Sequence, residues 1–213
     1  LSLFVTEEEA LKRISSGSIL VLVDHHRAML SASPKILQSI RRRIIIDHHR
    51  RAEDAITDVM LQYMEPSTSS TCEMVTEILQ YFENKLQLSE VEATALYAGI
   101  LVDTKNFAVQ TGERTFEAAA FLRRNGADPH MVSLLFKDDE HTVLTRARII
   151  TEMKQPLPGL AVAVHRCSCQ DKDTPVIVAQ AADELLTMDD IRASVVFSQN
   201  ENGVSISARS DGS

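Results

Sequence analysis

Two stretches of the chain are unbroken apolar runs that end abruptly in charge. Ser18-Ile19-Leu20-Val21-Leu22-Val23 runs into Asp24-His25-His26-Arg27, and Arg43-Ile44-Ile45-Ile46 runs into Asp47-His48-His49-Arg50. Short β-branched runs without alternation are the pattern of strands buried on both faces of a parallel sheet. Helical signals surround them. Thr6 to Glu9 is a capping box before a helix expected to end near Gly17, and Ser33-Pro34 opens a second helix running to Arg41-Arg42-Arg43. Helix, strand, helix, strand with short joins is a right-handed crossover pattern. It delivers both acid–imidazole clusters to one rim of one sheet, the carboxyl end where open α/β sheets bind ligands.

The pattern continues with a strand over 59–64, closed by Glu65-Pro66, and a helix whose start carries Ser70 and Glu73 at capping-box spacing. Ser89 and Glu92 repeat that signal before a helix that ends at Asp103-Thr104. Being apolar on most faces, this helix is expected inside the domain. Glu113 to Arg124 reads as a helix stopped by Asn125-Gly126, and Asp128-Pro129 starts a short one. Residues 137–155 are charged and helical, a connecting helix, and Pro156-Leu157-Pro158-Gly159 marks the boundary after it. Beyond lie short strands over 160–165, 176–179, 193–198 and 204–208, with one helix over 181–186. The fold class is therefore α/β: a parallel doubly wound sheet over 1–136, joined by the helix 137–155 to a smaller α/β domain over 156–213.

Composition narrows the function. At 213 residues there is ample length to bury a core, and the formal charge of −8 excludes a surface that wraps long nucleic acid. A small anionic substrate at a local metal or arginine site remains compatible. Cys72, Cys167 and Cys169 form no disulfide framework and suit a reducing cytoplasm. No apolar run approaches the roughly 20 residues needed to cross a bilayer. The chain begins with Leu, as an excised piece of something longer would.

Carboxylate and imidazole without thiolate suit a divalent ion of intermediate hardness such as manganese. A single Asp-His pair after a strand serves equally as a cap or turn, and it is the recurrence after two consecutive strands that points to metal. Asp24, His48 and Asp103 each end a buried element. Their convergence would give a two-metal centre able to hold a bridging hydroxide against phosphorus. Ser67 to Thr71 reads as a helix cap or a phosphate loop. Arg41 to Arg43 complement a helix dipole. Ser207, Arg209 and Ser210 end the last strand, where a phosphate is one possible occupant.

In order and spacing, Ile46-Asp47-His48-His49-Arg50, Ser69-Ser70-Thr71-Cys72-Glu73, Ala98 to Lys105 and Gly112-Glu113-Arg114-Thr115-Phe116 resemble the DHH phosphoesterase superfamily. More narrowly they resemble the catalytic portion of GdpP-type cyclic-di-AMP phosphodiesterases. The likeness extends to Val178 to Asp183 and Ser205 to Ser210 in the smaller domain. It implies a two-manganese centre that hydrolyses cyclic di-AMP to linear pApA. Asp24 would be the bridging ligand, His48 and Asp103 would be ligands of one ion, and His49 would support the site. Arg50 and Ser70 on one side, with Ser207 and Arg209 from the second domain, would meet the substrate.

The resemblance also implies a possible homodimer and a membrane-anchored parent with this portion on the cytoplasmic side. The family's first motif, a histidine followed by two aspartates, would lie upstream of Leu1, and a glycine-rich motif downstream of Ser213. This stretch alone would then carry part of the metal site and be weakly active or inactive. A nanoRNA or pAp phosphatase of the same superfamily is the alternative enzyme, and a non-catalytic nucleotide-binding regulatory module the alternative from another class.

Overall fold

The computed structural model describes residues 4–82, 87–166, 174–200 and 203–212. Two compact units divide the chain, Leu1–Phe136 and Lys137–Ser213.

In the first unit, helix α1 (Glu7–Arg13) starts on the full Thr6/Glu9 capping box. Strands β1 (Leu20–Val23), β2 (Arg43–Asp47) and β3 (Leu61–Met64) form one parallel sheet in the order β1-β2-β3. Helix α2 (Pro34–Ser39), capped by Ser33, connects the first two strands. Leu22 and Ile45 are register partners, and with Leu37 of α2 they form a buried cluster joined by Ile56, Val59 and Met64. Consecutive isoleucines therefore do serve a parallel strand, with Ile45 completely buried.

Helices α3 (Thr71–Gln80), α4 (Glu90–Asp103), α5 (Glu113–Arg124) and α6 (Pro129–Leu135) follow. A second core of Ala93, Ile100, Ala118, Leu122 and Ala127 lies among them. Ser89 and Glu92 close a full capping box on α4. The Ser70/Glu73 signal is only half realised. Ser70 Oγ accepts from the Glu73 N–H, while the buried Glu73 carboxylate instead takes Ser69 Oγ at 2.5 Å and Thr115 Oγ1 at 2.6 Å, tying the loop to α5. Helix α4 is less interior than its apolar sequence implies. Ala93, Ala98 and Ile100 are buried, but Val91 and Val102 face outward.

The second unit opens with helix α7 (Glu140–Thr151), four residues shorter at its carboxyl end than the sequence pattern suggests. Strand β4 (Lys154–Leu157) and the turn at Pro158-Gly159 follow, so the Pro/Gly segment is a hairpin turn into β5 (Leu160–Arg166), Gly159 taking φ +81. The run Val176-Ile177-Val178, expected as a strand, lies inside helix α8 (Thr174–Leu185). Ile177, Val178, Ala181, Ala182 and Leu185 share one face at helical spacing, and that face is the core of this unit against Ala161, Ala163 and Val196. Burial along one helical stripe outweighs the β-branched propensity of three residues. Strands β6 (Ala193–Asn200) and β7 (Gly203–Ser210) complete a mixed sheet, order β4-β5-β6-β7. Cys167-Ser168-Cys169 lies outside the described residues.

Candidate metal centre

The register Val23↔Ile46 sets the ends of β1 and β2 side by side, and the Asp24 N–H still donates to the Ile46 carbonyl at 3.0 Å. There the two triplets diverge. Asp24 has φ +64, a left-handed conformation that aspartate tolerates better than most residues, and its side chain is 56% exposed. Asp47 stays in the strand, in phase with the buried Ile45, and is itself completely buried. Asp24 thus turns toward solvent while Asp47 turns inward.

Above the sheet rim, Asp24 and the histidines of the second triplet meet. His48 Nε2 lies 3.5 Å from Asp24 Oδ1 and 4.0 Å from Asp103 Oδ2, Asp103 being the last residue of α4. Asp24, His48 and His49 each offer a ligand atom within 4.8 Å of one another. The His48 and His49 rings are tilted, with centroids 4.4 Å apart. Thr71 Oγ1 donates to Asp24 Oδ1 at 2.9 Å and fixes that carboxylate. One carboxylate, two imidazoles and a second carboxylate beyond them form an oxygen–nitrogen donor set suited to a divalent ion.

Below the rim, Asp47 Oδ2 is 2.5 Å from His26 Nδ1, and Asp47 Oδ1 is 2.7 Å from His49 Nδ1 and accepts the His49 N–H at 3.1 Å. His26 is buried, and its Nε2 accepts the Ala52 N–H at 2.9 Å. Burial alone would raise the pKa of Asp47, but the bonds from His26 and His49 hold it below the usual carboxylate value. Asp103 is moved the other way, raised by burial and by the negative charge of Asp24, with His48 and His49 opposing in part.

Beside Asp24 and Asp103 opens a mostly apolar cleft of about 500 Å³, walled by Val23, Val75, Leu96, Val102 and Phe136. Cys72 lines it too, its thiol pushed up to about 11 by burial and by the nearby Asp103 and Asp24 carboxylates.

Of the other residues singled out in the sequence, Arg50 is exposed just past the second triplet, and Ser70 is fully buried with its hydroxyl occupied as the α3 cap. Ser207 and Arg209 lie on β7 of the second unit. Arg209 Nε and Nη2 pair with the two carboxylate oxygens of Asp183 at 3.1 and 3.3 Å. Thr71, Asp47 and His26 lie in motifs that the sequence reading quoted without giving these residues a role of their own. The alternation Ile45, Asp47 carried a signal for the second of these, because it places the carboxylate on the buried face.

Residues 3–100 match the DHH family, N-terminal domain. That match spans 98 of the chain's 213 residues. Over 212 residues it is 42% identical to the cyclic-di-AMP phosphodiesterase GdpP of Bacillus subtilis, a match covering 99% of this chain and 32% of that protein. Over 210 residues it is 40% identical to the cyclic-di-AMP phosphodiesterase PdeA of Listeria monocytogenes, covering 98% and 32%. The probable bifunctional oligoribonuclease and PAP phosphatase NrnA of Streptococcus mutans is more distant, 28% identical over 176 residues, 75% of this chain and 51% of that one. The chain spans about a third of the length of the curated phosphodiesterases it matches. An exopolyphosphatase-related protein from Bacteroides fragilis shares the fold, with a TM-score of 0.82 at 20% identity, covering 97% of this chain and 62% of that one.

Proposed function

We propose that this chain belongs to the DHH family and is the catalytic portion of a metal-dependent phosphodiesterase that hydrolyses cyclic di-AMP to linear pApA. The observation that carries the reading is the meeting of Asp24, His48 and His49 from just beyond the ends of two different strands in a chain so similar to phosphodiesterases of that substrate. Asp24 and His48 are the nearest ligand pair, Asp103 approaches His48 from α4, and His49 flanks them.

Manganese, two ions in the complete site, would supply a hydroxide nucleophile at neutral pH and stabilise charge on the phosphoryl oxygens. The residues of this chain do the rest. Thr71 holds Asp24 in place, and the cleft beside Asp24 and Asp103 offers an apolar wall to a base. Arg50 is free in solvent to meet a phosphate. Arg209 and Ser207 are the substrate contacts proposed from the second unit, with Asp183 holding the guanidinium plane of Arg209. Ser70 is proposed to act through the backbone it caps, since its own hydroxyl is engaged. The reading includes a membrane-anchored parent, with this portion on the cytoplasmic side, and a homodimer. Among the described residues, no helix is long and apolar enough to cross a membrane.

The test is hydrolysis by the full-length protein with manganese, offered cyclic di-AMP and pAp in parallel. Turnover of cyclic di-AMP to pApA that Asp24→Ala and Asp103→Ala both abolish is expected. Turnover of pAp alone, or cyclic di-AMP turnover that survives both substitutions, refutes the reading.

A further inference from the structure

We propose that Glu73 and Thr115 are positioning residues for the metal centre: they fix the loop that brings Thr71 to Asp24, and so set the affinity for the ion from the start of α5. This deepens the metal-centre reading above and rests on it.

Asp24 needs such support. It leaves the sheet in a left-handed conformation, its side chain is 56% exposed, and among the described residues Thr71 Oγ1 is the only hydrogen-bond donor to its carboxylate. The oxygen that Thr71 holds, Oδ1, is also the one nearest His48 Nε2. A hydroxyl can hold a ligand only as firmly as its own backbone is held. Thr71 is the first residue of α3, and Ser67 to Ser70 before it lie outside helix and strand.

Glu73 supplies what that loop lacks. Its side chain is 1% exposed and has no cationic partner among the described residues, and three donors converge on one oxygen, Oε2. They are the Ser69 hydroxyl at 2.5 Å, the Ser69 N–H at 3.3 Å and the Thr115 hydroxyl at 2.6 Å. Thr115 Oγ1 in turn accepts the Gly112 N–H at 3.1 Å, which anchors it to the first turn of α5. A buried carboxylate without a cation depends on such donors, so each is costly to lose. The contacts run from α5 through Thr115, Glu73 and Ser69 to Thr71 and Asp24. Arg114 and Glu77, paired at 2.6 and 2.7 Å, join the same two helices at the surface without a hydrogen bond to the loop.

Because all three donors meet one oxygen, the loop needs an acceptor there and not a charge. Glu73→Gln can keep a carbonyl oxygen at that point, and Glu73→Leu cannot.

The experiment is Mn2+ titration of the full-length protein followed by water-proton relaxation, with thermal melting of the metal-free protein beside it. Thr71→Val is expected to weaken Mn2+ binding about 10- to 100-fold, and Thr115→Val and Glu73→Leu about tenfold. Thr115→Ser and Glu73→Gln, which keep the hydroxyl and the acceptor, are expected to restore most of the affinity. Glu77→Gln, which loosens the surface tie alone, is expected to leave it unchanged. The deciding variant is Thr115→Val combined with Thr71→Val. If Thr115 acts through Thr71, its effect on Mn2+ vanishes in that background while its cost in Tm remains. An equal further loss of affinity there, native affinity in Thr115→Val, or equal weakening by Glu77→Gln overturns the proposal and leaves the metal centre standing. Should Thr115→Val not fold, Ser69→Ala removes another donor to the same oxygen and is read in the same way. A native protein that binds no Mn2+ refutes the metal centre and this proposal together. One that shows the coupling but hydrolyses no cyclic di-AMP refutes the phosphodiesterase reading alone.

Discussion

Replacing Asp103 by Asn should make the metal-free protein more stable while removing its response to manganese. The two legs of 3.5 and 4.0 Å from His48 Nε2 cap the separation of the Asp24 and Asp103 oxygens at about 7.5 Å. Two like charges at that distance repel by about 0.5 kcal/mol in bulk water and about 2 kcal/mol at an effective dielectric near 20. The Asp24 side chain is 56% exposed and that of Asp103 33%, so solvent screening favours the lower half, about 1 kcal/mol. For a chain of this size that corresponds to a rise of about 2–4 °C in Tm.

The sign with pH follows. Burial and Asp24 raise the Asp103 pKa above its ordinary 3.8, so the folded state holds the proton more tightly than the unfolded one. The native protein therefore loses stability as pH rises through that window, and the advantage of Asn appears in full above it. Differential scanning calorimetry in EDTA at neutral pH, repeated with MnCl2, reads both halves. Manganese should raise the Tm of the native protein by mass action and leave Asp103→Asn nearly unmoved. Asp103→Asn melting at or below the native protein in EDTA, or gaining as much from manganese, would refute the reasoning.

Gly99 lies against Cys72, and a Cβ there would overlap Cys72 Sγ with the Cys72 Cβ only 3.1 Å away. Gly99→Ala should cost about 1–3 kcal/mol in urea unfolding despite its better helix propensity, and Cys72→Ala in the same chain should recover most of that. Cys72, with its thiol near 11, should react with iodoacetamide at pH 8 far more slowly than an unfolded thiol, and unfolding should abolish the protection, as mass spectrometry would read. Ser89→Ala removes the side-chain half of the α4 capping box and should cost about 1 kcal/mol by chemical denaturation.

Much of the first unit was legible because its signals are local. Capping residues at Thr6, Ser33, Ser70, Ser89 and Asp128 all sit at real helix starts, and the two apolar runs are adjacent parallel strands. The second unit was harder. Val176 to Val178 looks like a strand unless the stripe continuing to Leu185 is weighed with it, and Pro156 to Gly159 looks like a boundary when it is a turn inside a sheet.

At the site, the sequence presents Asp24-His25-His26 and Asp47-His48-His49 as equivalents. Tertiary structure makes them complementary: the exposed Asp24 meets the mostly buried His48, and His26 meets Asp47 below. A left-handed backbone at Asp24 is what separates them, and because both positions are aspartate the residue type does not tell them apart. Thr71 was hidden for a related reason, since a threonine at a helix start reads as a cap until the fold brings Asp24 to it.

The most direct test of the account is Mn2+ titration calorimetry of this chain beside His48→Asn, the residue placed between both carboxylates. Saturable binding to the native protein that weakens by more than about tenfold in the variant is the predicted result. Equal binding by the two proteins would contradict the assignment of Asp24, His48 and Asp103 to a metal centre.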